Sequence, residues 1–276
     1  MPAILLHLLA AALYLSLAVH FWRTRWRGPA LDQPPSQLGL LTRTWLLVAI
    51  IAHGVTVATE LFGGGQMRFG FAVAISLMLW LALAFYWVES FYARMDGLQM
   101  LGLPLAAVGV LLPLAFPSQH LLVNADSPLF RAHFLIAMLA YSLFTLAALH
   151  AMLMMTAERS LHRGRLPHIV ANLPPLLTME ALLFRLIHIA FVLLTFTLLS
   201  GIFFSEALFG QALALNHKTV FAILSWLIFA GLLLGRHLRG WRGQLALRWT
   251  LAGFFALLLA YVGSRFVIEV LLGRGA

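Results

Sequence analysis

The stretch LALNHKTVFAILSWLIFAG, residues 213–231, indicates which class of fold this chain adopts. After Lys218 nearly every residue is apolar, and the apolar run continues beyond the quoted stretch. An α-helix rises about 1.5 Å per residue, so about 20 such residues cross the roughly 30 Å hydrocarbon core of a bilayer. The stretch therefore predicts a transmembrane helix that Asn216 can cap and that carries an imidazole, His217, in its first turn.

The same pattern recurs along the whole chain. Of its 276 residues, 62% are hydrophobic and 10% are charged, and the mean hydropathy is +0.95. A soluble domain needs more polar surface than this, so membrane lipid is the expected solvent and partner. The predicted class is an all-α, polytopic membrane protein with one integral-membrane domain, residues 1–276. Its eight predicted transmembrane helices cover residues 3–22, 41–62, 69–92, 98–116, 131–155, 181–204, 217–238 and 246–270.

The basic residues indicate how these helices are oriented. The net charge of +9 would suit nucleic acid, but the cations lie in short turns between apolar runs, so no nucleic-acid partner is expected. If the N-terminus is outside, 12 of the 18 cations fall in cytoplasmic segments. They are Arg23, Arg25, Arg27, Arg43, Arg94, Arg159, Arg163, Arg165, Arg236, Arg239, Arg242 and Arg248. The positive-inside rule then predicts both termini on the outer side of the membrane.

Four of the eleven histidines are the main candidates for function from their positions in the predicted topology, two at the outer starts of helices and two inside helices. His133 and His217 each stand at the outer start of a helix, and the two helices run in the same direction. His53 and His188 lie about 12–15 Å into the membrane from the inner side, from their distances along the helix. Two pairs of imidazoles at two depths would suit two bis-histidine haem positions, or one site with alternative ligands.

The outer pair has cations beside it. Arg131 lies two residues before His133, and Lys218 directly follows His217. Haem offers an iron that binds imidazole, an apolar ring, and two propionates that pair with cations. Ala137, one helical turn below His133, leaves room for a flat ring. The simpler interpretation stays open: histidines that bond a neighbouring helix, and cations that anchor the helix at the interface.

Two other functions also remain open at this point. Glu60 lies on the same helix face as His53, so an ion or small-solute transporter, or its accessory subunit, could use them as a proton or cation path. A membrane scaffold whose histidines only pack is the third alternative. The chain has no cysteine, no HExxH, no Gly-rich phosphate loop and no GxSxG, so none of these motif classes offers a candidate site.

Four stretches carry a family resemblance: RAHFLIAMLAYSLFTLAALHAM (131–152), NLPPLLTMEALLFRLIHIAFVLLTFTLLSGIFFSEALFG (172–210), HKTVFAILSWLIFAGLLLGRHLRGWRG (217–243) and LAYVGSRFVIEVLLG (259–273). Together they resemble the membrane-integral cytochrome c assembly family, and within it the compact eight-helix branch of YpjD- and HemX-like proteins. The resemblance implies a protein of the bacterial inner membrane that binds or relays haem b without catalysing a covalent reaction. It also implies partners among cytochrome c maturation or membrane transport proteins.

The resemblance also implies roles for individual residues. His133, followed eight residues later by Tyr141, matches the family's external haem ligand. His53, His188 and His217 fall where intramembrane and outer histidines are expected. The chain departs from the family's tryptophan-rich outer motif and its acidic DPKE element, because it reads FFSEALFGQALALNHKT and keeps only the lysine. A second external histidine, expected around residue 272, is missing.

Overall fold

The computed structural model describes residues 2–26, 38–92, 97–118, 120–122, 124–162, 173–206 and 216–273, and these are organised around eight long helices. The first seven are α1 Pro2–Phe21, α2 Leu40–Phe62, α3 Phe71–Glu89, α4 Leu98–Ala115, α5 Pro128–His162, α6 Leu176–Phe203 and α7 His217–Arg239. The eighth, α8, begins as Gly243–Leu258 and continues through two π-helical turns, Leu259–Gly263 and Val267–Leu271, on either side of Ser264–Phe266.

All eight helices are long and apolar enough to cross a membrane, which confirms the predicted all-α, eight-helix fold. The two largest differences from the predicted boundaries are at the end of α5 and at the start of α6. Helix α5 runs to His162 because its last turns are polar but still helical, and hydropathy marks only the part that hydrocarbon covers. Helix α6 begins at Leu176, directly after Pro175, since proline fits the start of a helix and not its interior.

The helices alternate in direction, so α1, α3, α5 and α7 begin at the same end of the bundle, here called the N-terminal end. Which side of the membrane this end faces stays a prediction from the arginine distribution. Of the residues used for that prediction, Arg27, Arg94, Arg163 and Arg165 lie outside the described ranges.

Helix α5 is the centre of the packing. It has its most extensive contacts with α6 and further contacts with α3 and α8. Helices α1 to α4 pack mainly on one another, and α7 packs mainly on α8. From Ala140 to Ala151 every residue of α5 is buried. A helix that is buried on all sides suits the middle of a bundle rather than its lipid-facing rim.

A glycine permits the close contact between α7 and α8. A Cβ atom at Gly253 would lie 2.8 Å from the ring of Phe229, which is fully buried. Phe229 cannot move aside, because it stacks on Phe144 with 3.9 Å between ring centroids. The carbonyl of Gly253 also accepts a hydrogen bond of 2.9 Å from the hydroxyl of Ser225.

We therefore expect Gly253→Val to lower the free energy of unfolding by about 1–3 kcal/mol through overpacking. Thermal unfolding in detergent, followed by tryptophan fluorescence, measures the effect. Gly39→Val is the matched control, since no atom of the described residues lies within 4 Å of a Cβ there and the backbone is extended. Equal melting temperatures for the two variants would contradict this account of the α7–α8 contact.

Candidate functional site

A cavity of about 430 Å³ opens at the N-terminal end of the bundle, between α5, α6, α7 and α8. Each of the four helices contributes a small residue to its wall, and the remaining wall is mostly apolar. The small residues are Ala137, Gly201, Ala222 and Ala260. The polar and basic side chains at the cavity are His120, His133, Thr197, Ser205, Asn216, Lys218, Thr219, Tyr141, Tyr261 and Arg265. Small residues on every side leave space for a flat, apolar group.

The imidazole of His133 is oriented by α6. Its Nδ1 lies 2.8 Å from Oγ of Ser200, and that hydroxyl lies 2.7 Å from the carbonyl oxygen of Phe196. The hydroxyl donates to the carbonyl, so its oxygen accepts from Nδ1–H of His133. This assignment places the lone pair of the ring on Nε2. A histidine that binds a metal through Nε2 usually has its Nδ1–H held in this way.

Two cations line the cavity with His133. Lys218 lies in the first turn of α7, where the predicted cap is confirmed: Oδ1 of Asn216 accepts a 3.1 Å hydrogen bond from the amide of Thr219. Arg265 comes from the irregular last part of α8 and contacts the imidazole of His120. Together they give the cavity a positive charge that suits an anionic ligand.

His120 reaches the cavity from the loop between α4 and α5. Its carbonyl accepts a hydrogen bond of 2.9 Å from the amide of Phe69, and the amide of Leu122 donates to the carbonyl of Met67 at 3.0 Å. Burial, and then the charges of Arg265 and Lys218, lower the pKa of His120 to about 4. The ring is therefore neutral at pH 7, which is the form that binds metal.

Of the four outer residues predicted from the sequence, two line the cavity and two do not. His133 and Lys218 are both in its wall, whereas His217 is exposed and points elsewhere. Successive residues of a helix point about 100° apart, so a neighbour of Lys218 faces another direction. Arg131 is exposed and bonds Asp126 at 3.0 Å, so it stabilises the loop before α5 rather than the cavity.

The deeper pair predicted from the sequence is not brought together. His53 is fully buried and both its ring nitrogens have partners: the hydroxyl of Tyr14 at 3.2 Å and that of Ser76 at 2.9 Å. His188 lies on an exposed face of α6, with Nδ1 2.6 Å from the carbonyl oxygen of Phe184. The depth of a residue in the membrane does not fix the direction of its side chain. That direction depends on how each helix is rotated about its own axis.

Sequence reasoning did not assign a role in the site to His120, Arg265 or Tyr261. From the sequence, His120 was only a histidine in an outer loop. Its position at the cavity depends on backbone hydrogen bonds to the α2–α3 loop, which is distant in sequence. Arg265 counted only as one of the outer cations. Its position within the apolar run of α8 could have indicated a place in the site. A basic residue there is costly in lipid and tends to face a polar interior.

Three relatives illustrate what the chain is similar to. Inner membrane protein YpjD of Escherichia coli strain K12 is 30% identical over 166 residues, 60% of this chain and 62% of that protein. An uncharacterized 28.8 kDa protein of Azospirillum brasilense is 32% identical over 141 residues, 51% of this chain and 52% of that one. Cytochrome c biogenesis protein CcsA of Prochlorococcus marinus strain MIT 9515 is 34% identical over 89 residues, 32% of this chain and 28% of that one.

These alignments span less than two thirds of the length of each relative. No solved structure gives a significant match. The eight membrane-spanning helices and the similarity to YpjD confirm the predicted multi-pass location in a bacterial inner membrane.

The match to a family model covers far more of the chain than any of these alignments. The family described as Cytochrome C assembly protein matches residues 38–272, a range that includes all four helices around the cavity and the loop that carries His120. The resemblance seen in the four quoted stretches is thereby confirmed. By this match the chain belongs to the cytochrome C assembly protein family.

Proposed function

We propose that this protein binds haem b in the cavity between α5 and α8 and hands it on within the membrane, without catalysing a covalent reaction. The observation that carries the proposal is the position of His133 in an apolar cavity whose wall also bears Lys218 and Arg265. Imidazole, apolar wall and cations match the iron, the ring and the propionates of haem. Membership in the cytochrome c assembly family supports the same role.

The donor set favours haem over a bare metal ion. Across the part of the chain that the structure describes, no three His, Asp or Glu side chains converge to hold one ion. A porphyrin supplies four nitrogen ligands itself, so the iron needs only one or two side chains from the protein. In this proposal Nε2 of His133 binds iron, Ser200 holds the ring in orientation, and the apolar wall excludes water.

The names of the relatives bear on which proteins receive the haem. One of them is named a cytochrome c biogenesis protein, and we propose cytochrome c maturation or membrane transport proteins as the recipients. The cavity is at the N-terminal end of the bundle, which the arginine distribution predicts to face outward. We therefore expect release on the outer side.

A second candidate function rests on another set of side chains. Nε2 of His7 lies 3.7 Å from Oε1 of Glu60, and His7 is buried against α2, the helix that also carries His53. This arrangement would suit proton or cation passage through α1 and α2. Ion uptake by proteoliposomes that is lost in Glu60→Gln, in a protein that binds no haem, would favour this function over the first.

Titration of the purified protein with haemin in detergent tests the proposed function. We expect saturation at one haem per chain and a shift of the absorbance maximum away from that of haemin in micelles. A linear increase without saturation, identical to micelles alone, would contradict the proposal. It would leave proton or cation passage and simple helix packing as the explanations for the histidines.

Lys218→Met is expected to weaken haemin binding about ten- to a hundredfold, because it removes one charge-assisted hydrogen bond worth roughly 1.5–3 kcal/mol. The same titration measures the effect. Arg131→Met is the matched control: it removes one cation from the same end of the bundle, but its partner is Asp126, outside the cavity. Equal losses in the two variants would show that general charge, and not a defined contact, attracts haem.

A further inference from the structure

His120 is the second imidazole in the cavity wall, and its side chain is held by a different helix from the one that holds His133. His133 is held by Ser200 of α6, whereas His120 is held by Arg265 of α8. Both rings border the same cavity of about 430 Å³. By contrast, His217 is exposed and does not border it, although it lies next to Lys218. The cavity thus presents a pair of imidazoles that the sequence pattern alone did not pair.

The backbone around His120 is fixed before any ligand arrives. The loop pairs with the α2–α3 loop through the amide of Phe69 and the carbonyl of His120, 2.9 Å apart. The hydroxyl of Tyr261 on α8 donates to the carbonyl of Phe69 at 3.0 Å, so the pairing is tied to the cavity wall. The backbone that carries the His120 side chain is thus held in place, so little backbone entropy is lost when a ligand binds.

The guanidinium of Arg265 is the partner that now occupies this imidazole. It donates to Nε2 of His120, so the lone pair on Nε2 is the acceptor and the proton is on Nδ1. Nε of Arg265 is buried and has no hydrogen-bond partner among the described residues. The neutral imidazole supplies no counter-charge, although the carboxylate of Glu269, which accepts from the amide of Phe71 at 3.3 Å, acts electrostatically on Arg265. A carboxylate could accept two parallel hydrogen bonds from it, which is the stronger pairing.

We infer that His120 is the second axial ligand of the haem that the proposed function places in this cavity, and that Arg265 releases it when a propionate takes the guanidinium. The inference rests on that proposed function. The lone pair that Arg265 now holds on Nε2 of His120 is the one that iron requires. Binding of the propionate by Arg265 and binding of iron by His120 are thereby coupled, because the propionate frees the imidazole.

Substitution of His120 tests direct ligation. In the wild-type protein with haemin we expect the sharp bands of low-spin, six-coordinate haem, and in His120→Ala a five-coordinate, high-spin spectrum that free imidazole converts back to low-spin. His120→Met is expected to bind iron through sulfur and to shift the bands while staying six-coordinate. A purely structural role for His120 predicts neither imidazole rescue nor the methionine spectrum. His217→Ala is the matched control and is expected to keep the wild-type spectrum.

The outcomes separate this inference from the proposed function. If the wild-type protein binds no haemin, the function itself fails. If it binds haemin with low-spin bands that His120→Ala keeps and His217→Ala loses, haem binding stands and the assignment of His120 is wrong. Size-exclusion elution of each variant at the wild-type volume verifies that its fold is intact.

The dimethyl ester of haem, which has no carboxylates, tests the release of His120 by Arg265. In the wild-type protein the ester is expected to stay five-coordinate, because nothing draws the guanidinium away from the imidazole. In Arg265→Gln both haem and its ester are expected to give six-coordinate spectra, and haem is expected to bind more tightly than the ester only by the contribution of Lys218, because the Arg265 contact is gone. A six-coordinate ester complex in the wild-type protein would overturn the coupling.

Discussion

His133→Ala is expected to lower the affinity for haemin by more than about a hundredfold and to remove the low-spin spectrum. Partners that merely orient a metal-binding histidine are each worth about 10–100-fold in affinity, so loss of the ligand itself must exceed this range. Ser200, which accepts from Nδ1–H of His133, is such an orienting partner. Ser200→Ala is accordingly expected to have an affinity for haemin between those of the wild-type protein and His133→Ala, with about a tenfold loss. Equilibrium titration of the detergent-solubilised variants measures both.

His188→Ala is the control for His133→Ala, since it removes an imidazole from an exposed face of α6, outside the cavity wall. It is expected to leave affinity and spectrum unchanged. If His133→Ala and His188→Ala bind haemin equally well, His133 is not the ligand. Full binding by Ser200→Ala would contradict only the orienting role of the hydroxyl.

Glu180→Ala is expected to have the largest effect on stability, a loss of about 3–5 kcal/mol. At the end of the bundle opposite the cavity, Oε1 of Glu180 lies 2.5 Å from Nη1 of Arg236 and 3.7 Å from Nε of Arg242. Glu180 is buried, and the guanidinium of Arg236 stacks over Phe184 at 4.5 Å from the ring centroid. Removing the carboxylate leaves this half-buried cation without its counter-charge.

Thermal unfolding in detergent measures this loss, and Asp126→Ala provides the comparison. Asp126 also pairs with an arginine, but both side chains are exposed, so no measurable change is expected. Haemin binding by whatever Glu180→Ala protein remains folded is expected to be normal, because the ion pairs lie at the far end of the bundle. Similar melting temperatures for the two variants would show that the Glu180 cluster adds nothing to the packing of α6 against α7.

The eight helices could be predicted because hydrocarbon imposes a length: about 20 apolar residues for each crossing, whatever the helices contact. The Asn216 cap could be predicted for a similar reason, since it depends only on residues within one turn. Such local rules also placed His133 and Lys218 at the end of the bundle where the cavity opens.

The pairing of side chains across the bundle could not be predicted in the same way. His217 and Lys218 are adjacent in sequence, yet only Lys218 faces the cavity, because a helix turns about 100° between them. His53 and His188 were predicted to lie at the same depth in the membrane. His53 faces α1 and α3, whereas His188 is exposed. His120 enters the site through backbone bonds between two loops, which no periodicity in the sequence reports.

The most direct test of the central claim is the absorbance spectrum, oxidised and reduced, of the protein purified from cells supplied with haem. We predict low-spin bis-histidine bands in the wild-type protein that sharpen on reduction, disappear in His133→Ala and become high-spin in His120→Ala. A wild-type spectrum without haem bands, unchanged after haemin is added, would contradict haem binding at this cavity. Attention would then move to His7, Glu60 and His53 as a path for protons or cations.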